Sequence, residues 1–389
     1  MAEKMPAYLD NNATTPVRPE VLAAMAPVLS GVYGNPNSVH SAGQRARKAV
    51  EEARAAVARL VGAASPEEIV FTSCGSEGNV AAVQGAALAA WDASGGKRRH
   101  IVTSAVEHAS IHGLLKILAA RGFESTVVGV DRDGRVSPES VREALRPETF
   151  LVSVMAANNE VGTLQPLAEI AALCRERGIL LHSDAVQAAG KVPIDVVRLG
   201  ADLLSIAGHK FYAPKGVGAL YVRSGVRLTQ TITGHQEKNR RGGTENTASI
   251  VGMGVAADLA LRELPEEGRR LAALRDRLEK GVEAAPGVHR TSRAPRRLPA
   301  TSHFCFEGVE GHHLVVALDL EGVCVSSGPA CEGGVTGLSH VLKAMGVPPE
   351  LGRGALRVSL GHQTTDADVD RFLAVLPACL ERLRAAGVR

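Results

Sequence analysis

Residues 205–216 read Ser205-Ile206-Ala207-Gly208-His209-Lys210-Phe211-Tyr212-Ala213-Pro214-Lys215-Gly216. The apolar run 202–206 has the character of a buried strand, and a second run, 218–222, follows. Between them a glycine, a histidine, a lysine and a Pro-Lys-Gly turn stand where α/β folds carry chemistry, at a strand end. A lysine held there among apolar neighbours is a candidate for Schiff-base chemistry, because desolvation favours the neutral amine. A surface lysine in a loop fits the same twelve residues, so the rest of the chain decides.

Upstream, strands and helices alternate. Ala46, Ala49, Val50, Ala53, Val57, Leu60 and Val61 recur at helical spacing and predict a helix over 41–61 that stops at Gly62. Strands are expected at 69–72, 100–103, 125–130, 150–156 and 179–183. Helices are expected at 79–91, 110–120 and 166–177, with another opened by Ser137-Pro138-Glu139. This alternation predicts a mostly parallel sheet covered by helices. Residues 262–268 form a polar break, after which Leu271, Leu274, Leu278 and Val282 define a new helix. Strands at 301–306, 323–325 and 355–360, a helix near 313–320 and a last helix kinked at Pro377 complete the chain. In 355–360, Leu356, Val358 and Leu360 face one way, and Arg357 and Ser359 the other. The expected organisation is a large domain, 17–261, and a smaller α+β domain built from 1–16 and 262–389.

With 389 residues the chain can bury a large core, and 44 basic against 41 acidic residues give no field that would select nucleic acid. Six cysteines show no CxxC pair and no zinc spacing, and neither His303-Phe304-Cys305 nor His312-His313 has metal-site spacing, so no metal is expected. So few cysteines in so long a chain point to a reducing compartment. The first residues lack an apolar signal core and no stretch reaches membrane-spanning length, so a cytoplasmic protein without membrane contact is expected.

The polar residues that matter fall just after the expected strands. Ser73-Cys74-Gly75-Ser76-Glu77-Gly78-Asn79 leads into a helix, and backbone amides there suit a phosphate. Glu107-His108, Asn158-Asn159-Glu160 and Asp184 follow the next strands, with Gln187 one turn on. Each alone reads as well as a cap or a turn. Together, a phosphate cradle, an acid able to pair with a pyridinium nitrogen and a Schiff-base lysine are what pyridoxal phosphate requires.

The segment around Lys210 resembles the pyridoxal-lysine segment of cysteine desulfurases, among the fold type I, aspartate aminotransferase-like enzymes. The resemblance runs from Tyr8-Leu9-Asp10-Asn11-Asn12-Ala13-Thr14-Thr15 through Gly234-His235-Gln236-Glu237 and Arg241-Gly242-Gly243-Thr244-Glu245-Asn246. It reaches Ser326-Ser327-Gly328-Pro329-Ala330-Cys331 and Arg357-Val358-Ser359-Leu360-Gly361. The Gly-His-Gln-Glu and Gly-Thr-Glu-Asn segments are closer to the NifS-like branch than to the IscS-like one.

The resemblance implies pyridoxal 5'-phosphate held covalently by Lys210, with Asp184 on the pyridine nitrogen and His108 stacked over the ring. Gln187 and Asn159 would bond the ring oxygen or the substrate carboxylate side, where Asn12 would also act. Gly75, Ser76 and His209 would bind the phosphate, and Thr244 would reach it from the other subunit of a homodimer. Arg357 would clamp the substrate carboxylate with its planar fork. Ala207 stands where the family often has serine, which removes one phosphate donor. The implied reaction takes L-cysteine to L-alanine while Cys331 becomes a persulfide, which supplies an iron–sulfur scaffold protein, with nitrogenase clusters as one destination. Gly328, Gly333, Gly334 and Gly337 around Cys331 predict a mobile loop. A selenocysteine lyase, an aminotransferase and a non-catalytic scaffold paralogue are the rivals. A cysteine with no apolar period around it argues against transamination, and the full residue set argues against the paralogue.

Overall fold

The computed structural model describes residues 6–328 and 338–387. A short strand β1 (Ala7–Tyr8) precedes two helices, α1 (Pro19–Ser30) and α2 (Ser41–Val61). Strand β2 (Ile69–Thr72) leads into α3 (Gly75–Ser94), β3 (His100–Ser104) into α4 (Ala109–Ala119), and β4 (Glu124–Val128) into α5 (Pro138–Ala144). Then come β5 (Thr149–Ser153), α6 (Leu167–Glu176), β6 (Leu180–Asp184), α7 (Val196–Leu199), β7 (Leu203–Ala207) and β8 (Gly218–Val222). A distorted turn, α8 (Gln236–Asn239), stands before the long helix α9 (Thr247–Glu283). The remainder comprises β9 (Val288–Arg290), β10 (Thr301–Phe306), α10 (Gly311–Leu320), β11 (Val323–Cys324), α11 (His340–Ala344), α12 (Pro349–Gly352), β12 (Ala355–Ser359) and α13 (Asp366–Ala385).

Seven strands form the central sheet in the order β2-β8-β7-β6-β5-β3-β4. Neighbours from β7 to β4 pair in parallel, whereas β8 runs against both β7 and β2. Strands β3, β5, β7 and β8 are buried along their whole length, as expected of strands covered on both faces. One core lies between the sheet and α2, α6 and α9, and a second between the sheet and α3 and α4. A third gathers Leu9, Phe304, Phe306, Leu356, Val358 and Phe372 around the small sheet β12-β10-β9. The N-terminal segment joins this part: β1 pairs with β11, and the Asn12 N–H donates to Ser359 Oγ at 2.9 Å.

The expected polar break at 262–268 does not occur. Helix α9 runs unbroken through Pro265. Its first half gives Ile250, Met253 and Ala257 to the sheet core, and its second half gives Leu271, Leu274 and Leu278 to the C-terminal core. Packing at both ends outweighs the one ladder bond that the proline removes. Pro377 likewise sits inside α13. Ser137 makes no side-chain cap bond, so α5 opens on Pro138 with Glu139 in its first turn. Helix α3 starts at Gly75, four residues before the expected start, because Cys74 occupies the cap. Helix α1 has no counterpart among the helices expected from the sequence; its Val21 and Val28 are buried, and Met25 packs against the same core.

Candidate active site

The strand ends converge on a cleft with about 690 Å³ of empty space, its open mouth included. It is lined by Asn12, His108, Asn159, Asp184, Gln187, Lys210 and Arg357, together with Ala13, Met155, Val186 and His340. Parallel strands place this chemistry: Asp184 ends β6, Lys210 follows β7, and His108 caps α4 after β3. Arg357 comes from β12, on the face opposite Leu356 and Val358, as the alternation implied.

Lys210 Nζ donates to the carbonyls of Asn12 at 2.6 Å and Ala13 at 2.7 Å. Asn12 is the hub of this wall. Its carbonyl also accepts from Gln187 Nε2 at 2.9 Å, and its own Nδ2 donates to Thr301 Oγ1 and the Asn159 carbonyl. Asp184, nearly buried, accepts the Val186 N–H on Oδ1 at 3.0 Å and Asn79 Nδ2 on Oδ2 at 2.6 Å. Arg357 is 1% exposed; Nη2 pairs with Asp10 at 2.8 Å and Nη1 donates to the Asn159 carbonyl at 3.0 Å. Its Nε–H is buried with no partner among the described residues. The fork is thus fixed in place with a donor to spare.

Sequence reasoning missed three groups here. Lys191 donates to Asn12 Oδ1 at 2.9 Å and Gln187 Oε1 at 2.7 Å. Burial, then the Lys210 and Arg357 cations, push its amine well below the ordinary lysine range. The four-residue spacing to Gln187 was its only sequence signal. Asn79 and Ser110 join Asp184 to His108 behind the cleft. Glu107 was named only as the neighbour of His108. Its carboxyl is fully buried, and burial pushes it up to about 8 against the bonds it accepts from Ser104 Oγ and the Met155 N–H. It therefore stands behind the lining residue Met155 as a neutral acid near pH 7.

Gly75, Ser76, Ala207, His209 and Thr244 are not among the cleft-lining residues. Gly75 nonetheless abuts it: a Cβ there would lie 2.5 Å from Cγ2 of the lining residue Val186 and 3.4 Å from Ala207 Cβ. The amides of Gly75 and Ser76, in the first turn of α3, precede its hydrogen-bond ladder and are offered to an anion. His209 Nδ1 lies 3.1 Å from Thr14 Oγ1, and burial, then the lysine cations, lower its ring to about 4, so it is neutral at physiological pH. Thr244 is exposed. Cys331 lies outside the described residues. Away from the cleft, Glu310, His312 and His313 bring three possible metal-ligand atoms within 4.8 Å of one another.

The residues fit pyridoxal phosphate. One cleft holds an amine, a carboxylate with few donors of its own and an imidazole, and the N-terminus of α3, whose first-turn amides suit a phosphate, lies behind Val186. Residues 7–372 match the family model described as aminotransferase class-V. The chain is 46% identical to a cysteine desulfurase IscS of Dictyoglomus turgidum over 98% of its own length and 96% of the relative's. A cysteine desulfurase IscS of Methanosarcina thermophila is 45% identical over 98% of this chain and 94% of the relative. A solved NifS-like protein superposes with a TM-score of 0.90 at 37% identity, covering 97% of this chain and all of that one.

Proposed function

The chain belongs to the class-V aminotransferase family, as a pyridoxal-phosphate-dependent cysteine desulfurase, and we propose how its residues divide the conversion of L-cysteine to L-alanine. Pyridoxal phosphate, when bound, acts as the electron sink for the substrate's α-carbon. Lys210 Nζ holds the cofactor and returns protons to the substrate. Asp184 would pair with the ring nitrogen and hold a proton there. The first turn of α3, with Gly75 and Ser76, seats the phosphate together with His209; Ala207 offers no hydroxyl to help. Gln187 and Asn159 position the ring oxygen side, and Asn12 fixes the wall behind them. Arg357, already held by Asp10, binds the substrate carboxylate. His108 holds a proton over the cleft. The Cys331 thiol takes the substrate sulfur as a persulfide, and L-alanine leaves with a proton on its Cβ.

The observation that carries this assignment is the convergence of Lys210, Asp184, His108 and Arg357, from four separate segments, on one cleft. We further propose 17–261 as the cofactor-binding domain and 1–16 with 262–389 as the domain carrying the Cys331 loop. Exposed Leu29, Tyr33 and Val39 support a homodimer interface, across which Thr244 serves the partner's phosphate. An iron–sulfur scaffold protein is the proposed sulfur acceptor, and the cytoplasm the proposed compartment, where the five described cysteines remain free thiols. Among the described residues no helix is long and apolar enough to cross a membrane.

The test is alanine and sulfide production from L-cysteine with a reductant. Lys210→Ala should lose both the visible absorbance of bound cofactor and all turnover. Cys331→Ala should keep the absorbance and lose sulfide release. A folded, coloured wild type that makes no alanine would favour aminotransferase activity instead.

A further inference from the structure

Resting on the reaction proposed above, which sets His108 over the cleft, we propose that Asn79 and Ser110 are positioning residues for that histidine. Anchored on Asp184, they hold its imidazole as the Nε2–H tautomer with the ring plane fixed. Neither residue lines the cleft, so both act through His108.

The order of donors settles the direction of the chain. A carboxylate only accepts, so the Asn79 group 2.6 Å from Asp184 Oδ2 is its Nδ2. The same NH2 lies 3.0 Å from Ser110 Oγ, which therefore accepts, and the hydroxyl hydrogen is left for His108 Nδ1 at 2.9 Å. The Ser110 N–H donates to the same Nδ1 at 3.2 Å. Two donors converge on one ring nitrogen, so that nitrogen carries the lone pair and the neutral ring carries its hydrogen on Nε2. Turning the amide over would set Asn79 Oδ1 against a carboxylate.

Asn79 Oδ1 itself is buried with no partner among the described residues. A buried acceptor left unpaired costs stability. An asparagine kept there at that cost is explained by what its NH2 does. The link also crosses three elements, from the end of β6 through α3 to the start of α4, and so ties the acid assigned to the ring nitrogen to the imidazole assigned above it. With Nδ1 occupied, His108 meets an electron-rich atom in the cleft as an N–H donor. A hydrogen on Nδ1 would face both the Ser110 hydroxyl and the Ser110 N–H.

The experiment is ¹⁵N NMR of the histidines, in cofactor-free and cofactor-loaded protein at alkaline pH, with His108 assigned through His108→Gln. Wild type should show Nδ1 as the pyridine-like nitrogen and Nε2 as the pyrrole-like one. Ser110→Ala and Asn79→Ala should each admit the other tautomer in part, and Ser110→Thr should restore the wild-type pattern. Alanine formation should fall about tenfold in kcat in Ser110→Ala, with KM within about twofold. Ser110→Ala removes one oxygen and keeps the question answerable if Asn79→Ala does not fold. A wild-type ring protonated on Nδ1, or both variants keeping tautomer and turnover, would overturn the proposal. Absence of alanine from wild type would count against the proposed reaction alone, because the tautomer is read without turnover.

Discussion

Glu107→Gln tests the buried acid behind Met155. Glu107 is 0% exposed; its Oε1 accepts from Ser104 Oγ at 2.5 Å and the Met155 N–H at 2.9 Å, while Oε2 has no partner among the described residues. Burial is the main cause that raises the carboxyl from 4.5 to about 8, with the nearby Asp184 adding to it. The folded chain thus keeps a proton that the unfolded chain releases. Its contribution to stability is fully present below pH 4.5 and is lost as pH rises through about 8. That rise corresponds to about 5 kcal/mol across the window. Glutamine keeps the acceptor for Ser104 and Met155 and has no proton to lose. Denaturant unfolding of the cofactor-free protein, at about pH 5 and about pH 9, should therefore show the variant gaining on wild type by several kcal/mol as pH rises. Groups distant from Glu107 titrate alike in the two proteins and cancel. A difference constant to within about 0.5 kcal/mol would refute the neutral acid.

Two further changes test the frame of the site. Glu237 accepts from Arg54 Nη1 at 2.6 Å and from the Phe71 N–H at 2.9 Å, both groups buried, so Glu237→Gln should cost about 3–5 kcal/mol in denaturant unfolding; a loss below about 1 kcal/mol would contradict it. Lys191→Met leaves Asn12 Oδ1 and Gln187 Oε1 without their amine donor and should raise KM for cysteine about tenfold with the cofactor absorbance kept. An unchanged KM would contradict that role.

Local signals made much of the fold legible. Helix α2 has the expected bounds because its apolar stripe is clean and Gly62, at φ 68°, ends it. Lys210, Asp184 and His108 were legible because parallel strands put their chemistry at one edge of the sheet, and strand ends can be read from apolar runs. What stayed hidden depends on distant partners. Asn79 reads as one more residue of a glycine-rich turn until α4 brings Ser110 to it. Glu107 looks like any acid until burial is known. The run from Arg262 to Gly268 is polar enough for a linker, yet α9 continues because each of its halves has a core to enter. Glu77 hides a similar role: it accepts from Arg241 Nε at 2.7 Å and from the Ser73 N–H at 2.8 Å, which draws the 241 segment to the first turn of α3.

The division of labour between Lys210 and Cys331 is tested most directly by the mass of the Cys331 peptide after L-cysteine is added to the cofactor-loaded enzyme without reductant. One added sulfur atom on that peptide, matched by one alanine per site and absent from Cys331→Ala, is the expected result. Alanine formed in that ratio with the Cys331 peptide unchanged would contradict it.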